Sequence, residues 1–241
     1  MIKAVLFDLD NTLLGNSIDT FIPAYTGSLT RYCQDLVPPE ELMDALMRGT
    51  AAMDANSTQG PTNAATFNAV FFSRLNVAET TLLPRLEQFY AMEFPKLQPL
   101  TCPIPDARPF VTWIFEQGLQ VVIATNPVFP RIAIHHRLAW AGIPIDEYHY
   151  DLVTTYETMH ATKASSEYYS EIVSILGREP HECLMIGDDF VRDMQPASAA
   201  GLPVYWIASP DAIRPDTQIQ PLGQGSLGEA WRWLKRYVQA A

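Results

Sequence analysis

Cysteine is scarce in this sequence, and long apolar runs are absent. The three cysteines, Cys33, Cys102 and Cys183, are an odd number without paired spacing, so the sequence suggests neither a disulfide framework nor a zinc site. This usage is typical of a reducing cytoplasm. No stretch of 18 apolar residues occurs, and the first residues run directly into a predicted strand, so we expect neither membrane spanning nor secretion.

Positive charge is also scarce. Sixteen basic residues against 27 acidic ones give a net charge of −11, which argues against binding to nucleic acid or to an anionic membrane. An anionic substrate would therefore need a local positive site. The 241 residues, of which 48% are hydrophobic, suffice for one large domain or two smaller ones. The pattern indicates no particular oligomeric state.

The most informative segment is residues 8–13, DLDNTL, which directly follow the apolar run AVLF. Two carboxylates, Asp8 and Asp10, thus stand at the end of a buried strand, where their charge is unfavourable unless the protein uses it. This pair suggests one nucleophile or metal ligand beside one proton carrier. The alternative is a strand followed by an ordinary turn, because Asp, Asn and Thr are frequent turn formers.

The apolar pattern predicts an α/β fold with a large insertion. A strand at 2–8 is followed by helical signals from about 17 to 97, and then helices and strands alternate. The predicted helices are 107–117, 129–141, 164–176, 193–200 and one at the C-terminus, and the predicted strands are 119–124, 148–153, 183–186 and 203–207. Such alternation is typical of a parallel sheet with helices on its faces.

Polar residues follow three of these strands. They are Asp8 and Asp10 after the first strand, Thr125 and Asn126 after 119–124, and Asp188, Asp189 and Asp193 after 183–186. In an open parallel sheet, ligands bind beyond the carboxyl ends of the strands. Each cluster alone is compatible with a turn or a helix cap, but their joint placement favours one active site.

Lys163 is the only lysine between the second and third of these clusters. Its position at the start of a predicted helix is contrary to the usual preference of the helix dipole. A lone lysine is most often a surface residue, but the context here favours a functional role.

The order and content of these motifs resemble the haloacid dehalogenase superfamily, in particular phosphatase-like members of its subfamily I. Residues 8–12 resemble the first motif, Thr125 the second, Lys163 the third, and residues 187–193 the fourth. The third motif departs from the family pattern, because Ala164 stands where relatives often have proline.

The resemblance implies a Rossmann-like, doubly wound parallel sheet core with an inserted all-helical cap domain of the C1 type. The core would comprise residues 1–14 and 99–241, and the cap residues 15–98. The cap would read the substrate. Its polar segment 56–63 either reads a leaving group through Gln59 or Asn63, or merely connects two helices.

The resemblance also implies a role for each motif. Asp8 would be the nucleophile, and Asp10 would be the general acid and base. Mg²⁺ would be held by the Asp8 carboxylate, the Asp10 main-chain carbonyl and the Asp188 carboxylate. The phosphate-binding residues would be Thr12, Thr125, Asn126 and Lys163, with Thr12 also fixing the loop of Asp10. Asp189 and Asp193 would support the metal or orient Lys163, in an order that the sequence leaves open.

The function so implied is magnesium-dependent hydrolysis of a small phosphorylated metabolite through an aspartyl phosphate on Asp8. Dehalogenases of this type release halide and generally lack the second aspartate, so Asp10 favours phosphoryl transfer. A phosphomutase would use the same two aspartates. A third hypothesis is a binding protein on a catalytically idle core, which the presence of every catalytic residue type makes less favoured.

Overall fold

The computed structural model describes residues 1–215 and 218–239. Within these ranges the strands are β1 (Ala4–Phe7), β2 (Leu14–Asn16), β3 (Thr101–Pro103), β4 (Gln120–Ile123), β5 (Leu152–Val153), β6 (Cys183–Gly187), β7 (Val204–Ile207) and β8 (Gly223–Gly225). The α-helices are α1 (Ile18–Cys33), α2 (Pro39–Asp54), α3 (Asn63–Ser73), α4 (Glu79–Met92), α5 (Ala107–Glu116), α6 (Arg131–Trp140), α7 (Ser166–Leu176), α8 (Gln195–Ala199) and α9 (Leu227–Gln239). A π-helical turn, Phe190–Met194, precedes α8.

Six strands form one parallel sheet in the order β5-β4-β1-β6-β7-β8. The strand β1 lies in its middle, and all four of its residues are buried. Val5 and Phe7 belong to one apolar core, which contains residues of α5, α6 and α9. Ala4 and Leu6 belong to a second core with residues of α7 and α8. Helices therefore cover both faces, and the doubly wound, Rossmann-like fold is confirmed.

The helices α1–α4 lie between β2 and β3, which pair with each other antiparallel. The sequence pattern does not predict this two-stranded ladder, because strands of three residues are too short to establish a periodic pattern. Gly15 permits it: a Cβ there would lie 2.5 Å from Cys102 Sγ and 3.1 Å from its carbonyl oxygen. The helical content of this region agrees with the predicted insert, while the domain boundaries at 14 and 99 stay a prediction.

Several predicted elements have different bounds. The helix expected at 164–176 begins at Ser166, because Ser165 is its N-cap and accepts a hydrogen bond from the Glu167 N–H. Lys163 therefore lies in the preceding loop, and its predicted position at the start of the helix, with the dipole preference that this implied, was wrong. The strand expected at 148–153 is only Leu152–Val153, and β8 was not predicted. Across the described part of the chain, none of the helices has the length and apolar character that membrane crossing requires.

Candidate functional site

The predicted motifs meet at one edge of the sheet. β1 is parallel to β4 and β6, and Phe7 at its end pairs with Ile123 at the end of β4 and with Ile186, one residue before the end of β6. The residues that follow these strands line one cavity of about 440 Å³. The predicted site residues that line it are Asp8, Asp10, Thr125, Asn126, Lys163, Asp188, Asp189 and Asp193.

The loop after β1 turns back on itself directly behind Asp8. The N–H groups of Leu13 and Leu14 both donate to the carbonyl oxygen of Leu9 at 2.9 Å. Asn11 takes a left-handed conformation, with φ of 58°, which asparagine tolerates better than most residues. This tight turn presents Asp8 and Asp10 to the same cavity.

Thr12 does not join them. Its side chain is fully buried, its hydroxyl oxygen has no hydrogen-bond partner, and it is not part of the cavity lining. A contact of Thr12 with phosphate and a role in fixing the loop of Asp10 both stay predictions.

Lys163 joins two of the motifs through buried ion pairs. Its Nζ donates to Asp8 Oδ1 at 2.5 Å and to Asp193 Oδ1 at 2.6 Å. Burial lowers the pKa of Lys163, but the carboxylates of Asp193 and Asp8 outweigh that effect and raise it overall, so the ammonium group stays charged. Although α7 starts later than expected, Lys163 reaches the carboxylates of Asp8 and Asp193 from the preceding loop.

The two supporting aspartates of the fourth motif have different contacts. Asp193 binds Lys163 through one oxygen and accepts the Asp189 N–H through the other at 3.2 Å. Asp189 Oδ1 accepts the N–H groups of Val191 and Arg192, at 2.9 and 3.0 Å, and so caps the π-helical turn. Of the pair, Asp193 is the one that contacts Lys163, which the sequence had left open.

Three carboxylates lie close enough together to hold a cation. One oxygen each from Asp8, Asp188 and Asp193 lies within 4.8 Å of the others. Burial and the neighbouring charge of Asp8 raise the pKa of Asp188 to about 8, and burial raises the pKa of Asp193. Such crowded, desolvated carboxylates suit a divalent cation that prefers oxygen ligands. Asp8 and Asp188 belong to the predicted metal set, whereas the Asp10 side chain lies outside this group.

Thr125 and Asn126 are fixed by the loops around them. The carbonyl oxygen of Thr125 accepts hydrogen bonds from Thr154 Oγ1 at 2.7 Å and from the Tyr168 hydroxyl at 2.8 Å. Asn126 Oδ1 accepts the Lys163 N–H at 3.2 Å. The residue pair after β4 is thus held rigidly beside the lysine.

Asp10 has two partners that the sequence analysis did not identify. Asn16 Nδ2 donates to Asp10 Oδ1 at 3.0 Å, and Arg137 Nη2 forms an ion pair with Asp10 Oδ2. Arg137 is 2% exposed and lines the cavity. Burial lowers its pKa to about 10, against the opposing effect of the Asp8 carboxylate, so it remains a cation at neutral pH.

A signal for Arg137 was present in the sequence. Ala133, Ile134, Arg137 and Leu138 share one face of α6 at helical spacing, and all four are buried. An arginine inside an apolar stripe predicts a buried charge that needs a partner. The pattern alone could not identify Asp10 as that partner.

The segment 56–63 joins the insert to the core. Asn63 is fully buried, and its Nδ2 donates to the carbonyl oxygens of Ala161 at 3.1 Å and Pro127 at 3.4 Å. Its N–H donates to the Met159 carbonyl oxygen at 2.8 Å. Neither Asn63 nor Gln59 lines the cavity. These contacts agree with the helix connection among the two readings of this segment.

Comparisons with known proteins agree with this architecture. A family model for haloacid dehalogenase-like hydrolases matches residues 2–201. A HAD phosphatase from Thermococcus onnurineus superposes with a TM-score of 0.60 at 21% sequence identity, over 97% of this chain and 98% of that chain. A 2-haloacid dehalogenase from Pseudomonas syringae pv. Tomato DC3000 superposes with a TM-score of 0.68 at 17% identity, over 98% and 100% of the two chains. At such identities the likeness shows the fold alone. No curated protein matches the sequence.

Proposed function

Because the chain belongs to the haloacid dehalogenase-like hydrolase family, we propose that it is a magnesium-dependent phosphatase acting on a small phosphorylated metabolite. The observation that carries this proposal is the contact of Lys163 with Asp8 at 2.5 Å, beside the carboxylate of Asp188. This arrangement places a fixed cation against a nucleophile that must attack an anion.

Asp8 is the nucleophile in this proposal. One of its oxygens attacks phosphorus, the bond from phosphorus to the ester oxygen breaks, and an aspartyl phosphate forms. Water then attacks the same phosphorus, which releases inorganic phosphate and restores the Asp8 carboxylate. Lys163 reduces the repulsion between the two anions at each step.

The group formed by Asp8, Asp188 and Asp193 fits a magnesium ion. Magnesium takes oxygen ligands and keeps several of its waters, so a few protein oxygens suffice. When bound, the ion would neutralise charge on the phosphoryl oxygens. Asp8 and Asp188 would hold it directly, together with the Asp10 main-chain carbonyl, while both oxygens of Asp193 already accept hydrogen bonds, from Lys163 Nζ and from the Asp189 N–H.

Asp10 is the proton carrier. It gives a proton to the leaving alcohol and later takes one from the attacking water. Halide is a leaving group that needs no proton, so a carboxylate at this position favours phosphoryl transfer over dehalogenation. Thr125 and Asn126, which line the same cavity, would donate hydrogen bonds to the phosphoryl oxygens.

Parallel assays of phosphate release and halide release test this function. The panel would contain sugar phosphates, nucleotides, phosphoglycolate, an aryl phosphate and a 2-haloacid, each with and without magnesium. We expect magnesium-dependent phosphate release that Asp8→Asn abolishes. Asp44→Asn is the matched control, because Asp44 is exposed on α2 and should leave the rate unchanged.

Any of three results would contradict the proposal. Halide release without phosphate release would assign the chain to dehalogenation. Phosphate release that persists in the Asp8→Asn variant would remove the proposed nucleophile. Exchange of a phosphoryl group between sugar phosphate isomers, without net release, would indicate a phosphomutase.

A further inference from the structure

Arg137 carries a buried positive charge that the reaction described above does not use. It is the largest of the fully buried side chains among the described residues. Its guanidinium lies over the ring of Phe129, 5.4 Å from the centroid, and its Nη2 contacts Asp10. Apolar residues of similar volume often replace buried ion pairs without loss of stability, so stability alone is a weak reason for this arginine.

Most of the N–H donors of Arg137 have no acceptor among the described residues. A guanidinium carries five N–H donors in a planar fork. In this structure Nη2 serves Asp10, and Nε is buried without a hydrogen-bond partner. Two parallel donors of such a fork match the two oxygens of a carboxylate, or two oxygens of a phosphate.

Arg137 lies on the side of the cavity where Asp10 would serve the leaving oxygen. Lys163 is committed to Asp8 and Asp193, which are on the side of the attacked phosphoryl group. Arg137 contacts Asp10, which in the proposed reaction serves the leaving oxygen. A group bound by Arg137 would therefore belong to the leaving alcohol.

We propose that Arg137 is a specificity residue that binds a second oxyanion on the leaving alcohol, so that the preferred substrates are phosphate esters of short, anionic alcohols. This inference rests on the proposed phosphatase function. The oxyanion takes the place of Asp10 beside the guanidinium, while Asn16 keeps its hydrogen bond to the other oxygen of Asp10. Binding of the correct substrate thus releases Asp10 from its ion pair next to the leaving oxygen.

Matched pairs of substrates test this proposal. 3-Phosphoglycerate and glycerol 3-phosphate have the same carbon skeleton and differ by one carboxylate. The bisphosphate and monophosphate of propane-1,3-diol differ by one phosphate, which separates the two possible sources of the oxyanion. We expect the wild-type kcat/KM to favour the compound with two anionic groups, in at least one pair, by on the order of 100-fold.

Variants of Arg137 then identify the residue that causes the preference. Arg137→Met should bring the kcat/KM ratio within each pair to about threefold or less, mainly by raising the KM of the compound with two anionic groups. Arg137→Lys keeps the charge but loses the fork, so it should retain part of the preference. Arg131→Met is the matched control, because Arg131 is exposed on the same helix and should leave the ratio unchanged.

The outcomes separate this inference from the function on which it rests. A wild-type ratio near one in both pairs overturns the inference whatever the variants do, while phosphate release still supports the phosphatase. Equal losses for both members of a pair in Arg137→Met would also overturn it, because they assign Arg137 only to the positioning of Asp10. Absence of phosphate release from every compound would overturn the phosphatase proposal itself.

Discussion

Among single residues, Lys163 is the one that holds the carboxylates of the site together. Its side chain is 3% exposed, and both of its partners, Asp8 and Asp193, are buried. Removing one member of a buried ion pair leaves a charge without compensation. Here the removal of one lysine would leave two such charges.

We therefore expect Lys163→Met to lower the free energy of unfolding by about 3–5 kcal/mol at neutral pH. Urea denaturation of the metal-free protein measures this change. Lys96→Met is the control, since Lys96 forms an exposed pair with Glu93 and should contribute about 1 kcal/mol or less. A loss for Lys163→Met no larger than that of the control would show that the buried pairs do not stabilise the fold.

Asp188 makes the stability of the metal-free protein depend on pH. Its pKa is raised to about 8 by burial and by the charge of Asp8, whereas an unfolded aspartate has a pKa of about 4. Between these values the native state holds a proton that the unfolded chain has released. Its contribution to stability is therefore present at low pH and is lost as the pH rises toward 8.

We expect the Tm of the metal-free protein to fall between pH 5 and pH 8, and magnesium to reduce that fall because the cation binds the ionised carboxylate. Thermal melts in chelator and in excess magnesium measure both effects. Asp188→Asn removes one titrating group and should make the fall in chelator smaller, while Asp193, whose pKa burial also raises, keeps part of it. A metal-free Tm that rises toward pH 8 would contradict the assignment.

Among the elements, the end of β6 is the place where backbone and site meet most closely. A Cβ on Gly187 would lie 2.6 Å from Asp193 Cγ and 2.9 Å from its Cβ. Only a residue without a side chain lets the π-helical turn return Asp193 to Lys163. The glycine of the fourth motif thus has a steric reason.

Gly187→Ala should push Asp193 away from Lys163, lower stability by about 1–3 kcal/mol and reduce kcat at least about tenfold. Differential scanning calorimetry and steady-state kinetics on the best substrate measure these changes. Gly27→Ala is the control in helix α1, where an added Cβ meets nothing within 4 Å. That control should be neutral or stabilising by about 0.5–1 kcal/mol, and equal effects of the two variants would contradict the steric account.

Local sequence pattern predicts some of these elements and not those that depend on distant contacts. The run AVLF predicted β1 because four apolar residues before two aspartates admit few other structures. The ladder of β2 and β3 was missed because it depends on a close approach between Gly15 and Cys102, which are far apart in the chain. Arg137 was missed for the same reason, since its partner Asp10 lies 127 residues away.

For the whole molecule, Asn63 provides buried hydrogen bonds between the insert and the core. It begins α3, and it bonds to the carbonyl oxygens of Ala161, Pro127 and Met159 on the core side. A second contact joins Thr162 Oγ1 to Asp54 Oδ1 at 2.8 Å. These bonds tie the insert to the loop that carries Lys163.

We expect Asn63→Ala to lower the free energy of unfolding by about 1–3 kcal/mol, because it leaves buried carbonyl groups without donors. Chemical denaturation measures this loss. Asn68 is only half-buried on the same helix, so Asn68→Ala should change stability by about 0.5 kcal/mol or less. Equal losses of stability in the two variants would show that the side-chain hydrogen bonds of Asn63 do not stabilise the contact between insert and core.

At this scale the sequence predicted the site better than its surroundings. Strand ends of a parallel sheet converge whatever the loops do, so Asp8, Thr125 and Asp188 could be brought together from their order alone. The contact of Asp10 with Arg137 depends on how α6 packs against the loop after β1, and the contacts of Asn63 depend on how the insert sits against the core. No local pattern encodes that placement.

The central claim is that Asp8 forms a covalent phosphoryl intermediate, and acid-quenched peptide mass spectrometry tests it most directly. The reaction with the best phosphate ester in magnesium would be quenched with acid during turnover, and the protein would then be digested. The account predicts one phosphoryl group on the peptide that contains Asp8, absent without magnesium and absent in Asp8→Asn. A phosphoryl group on another peptide, or full phosphate release by the Asp8→Asn variant, would contradict it.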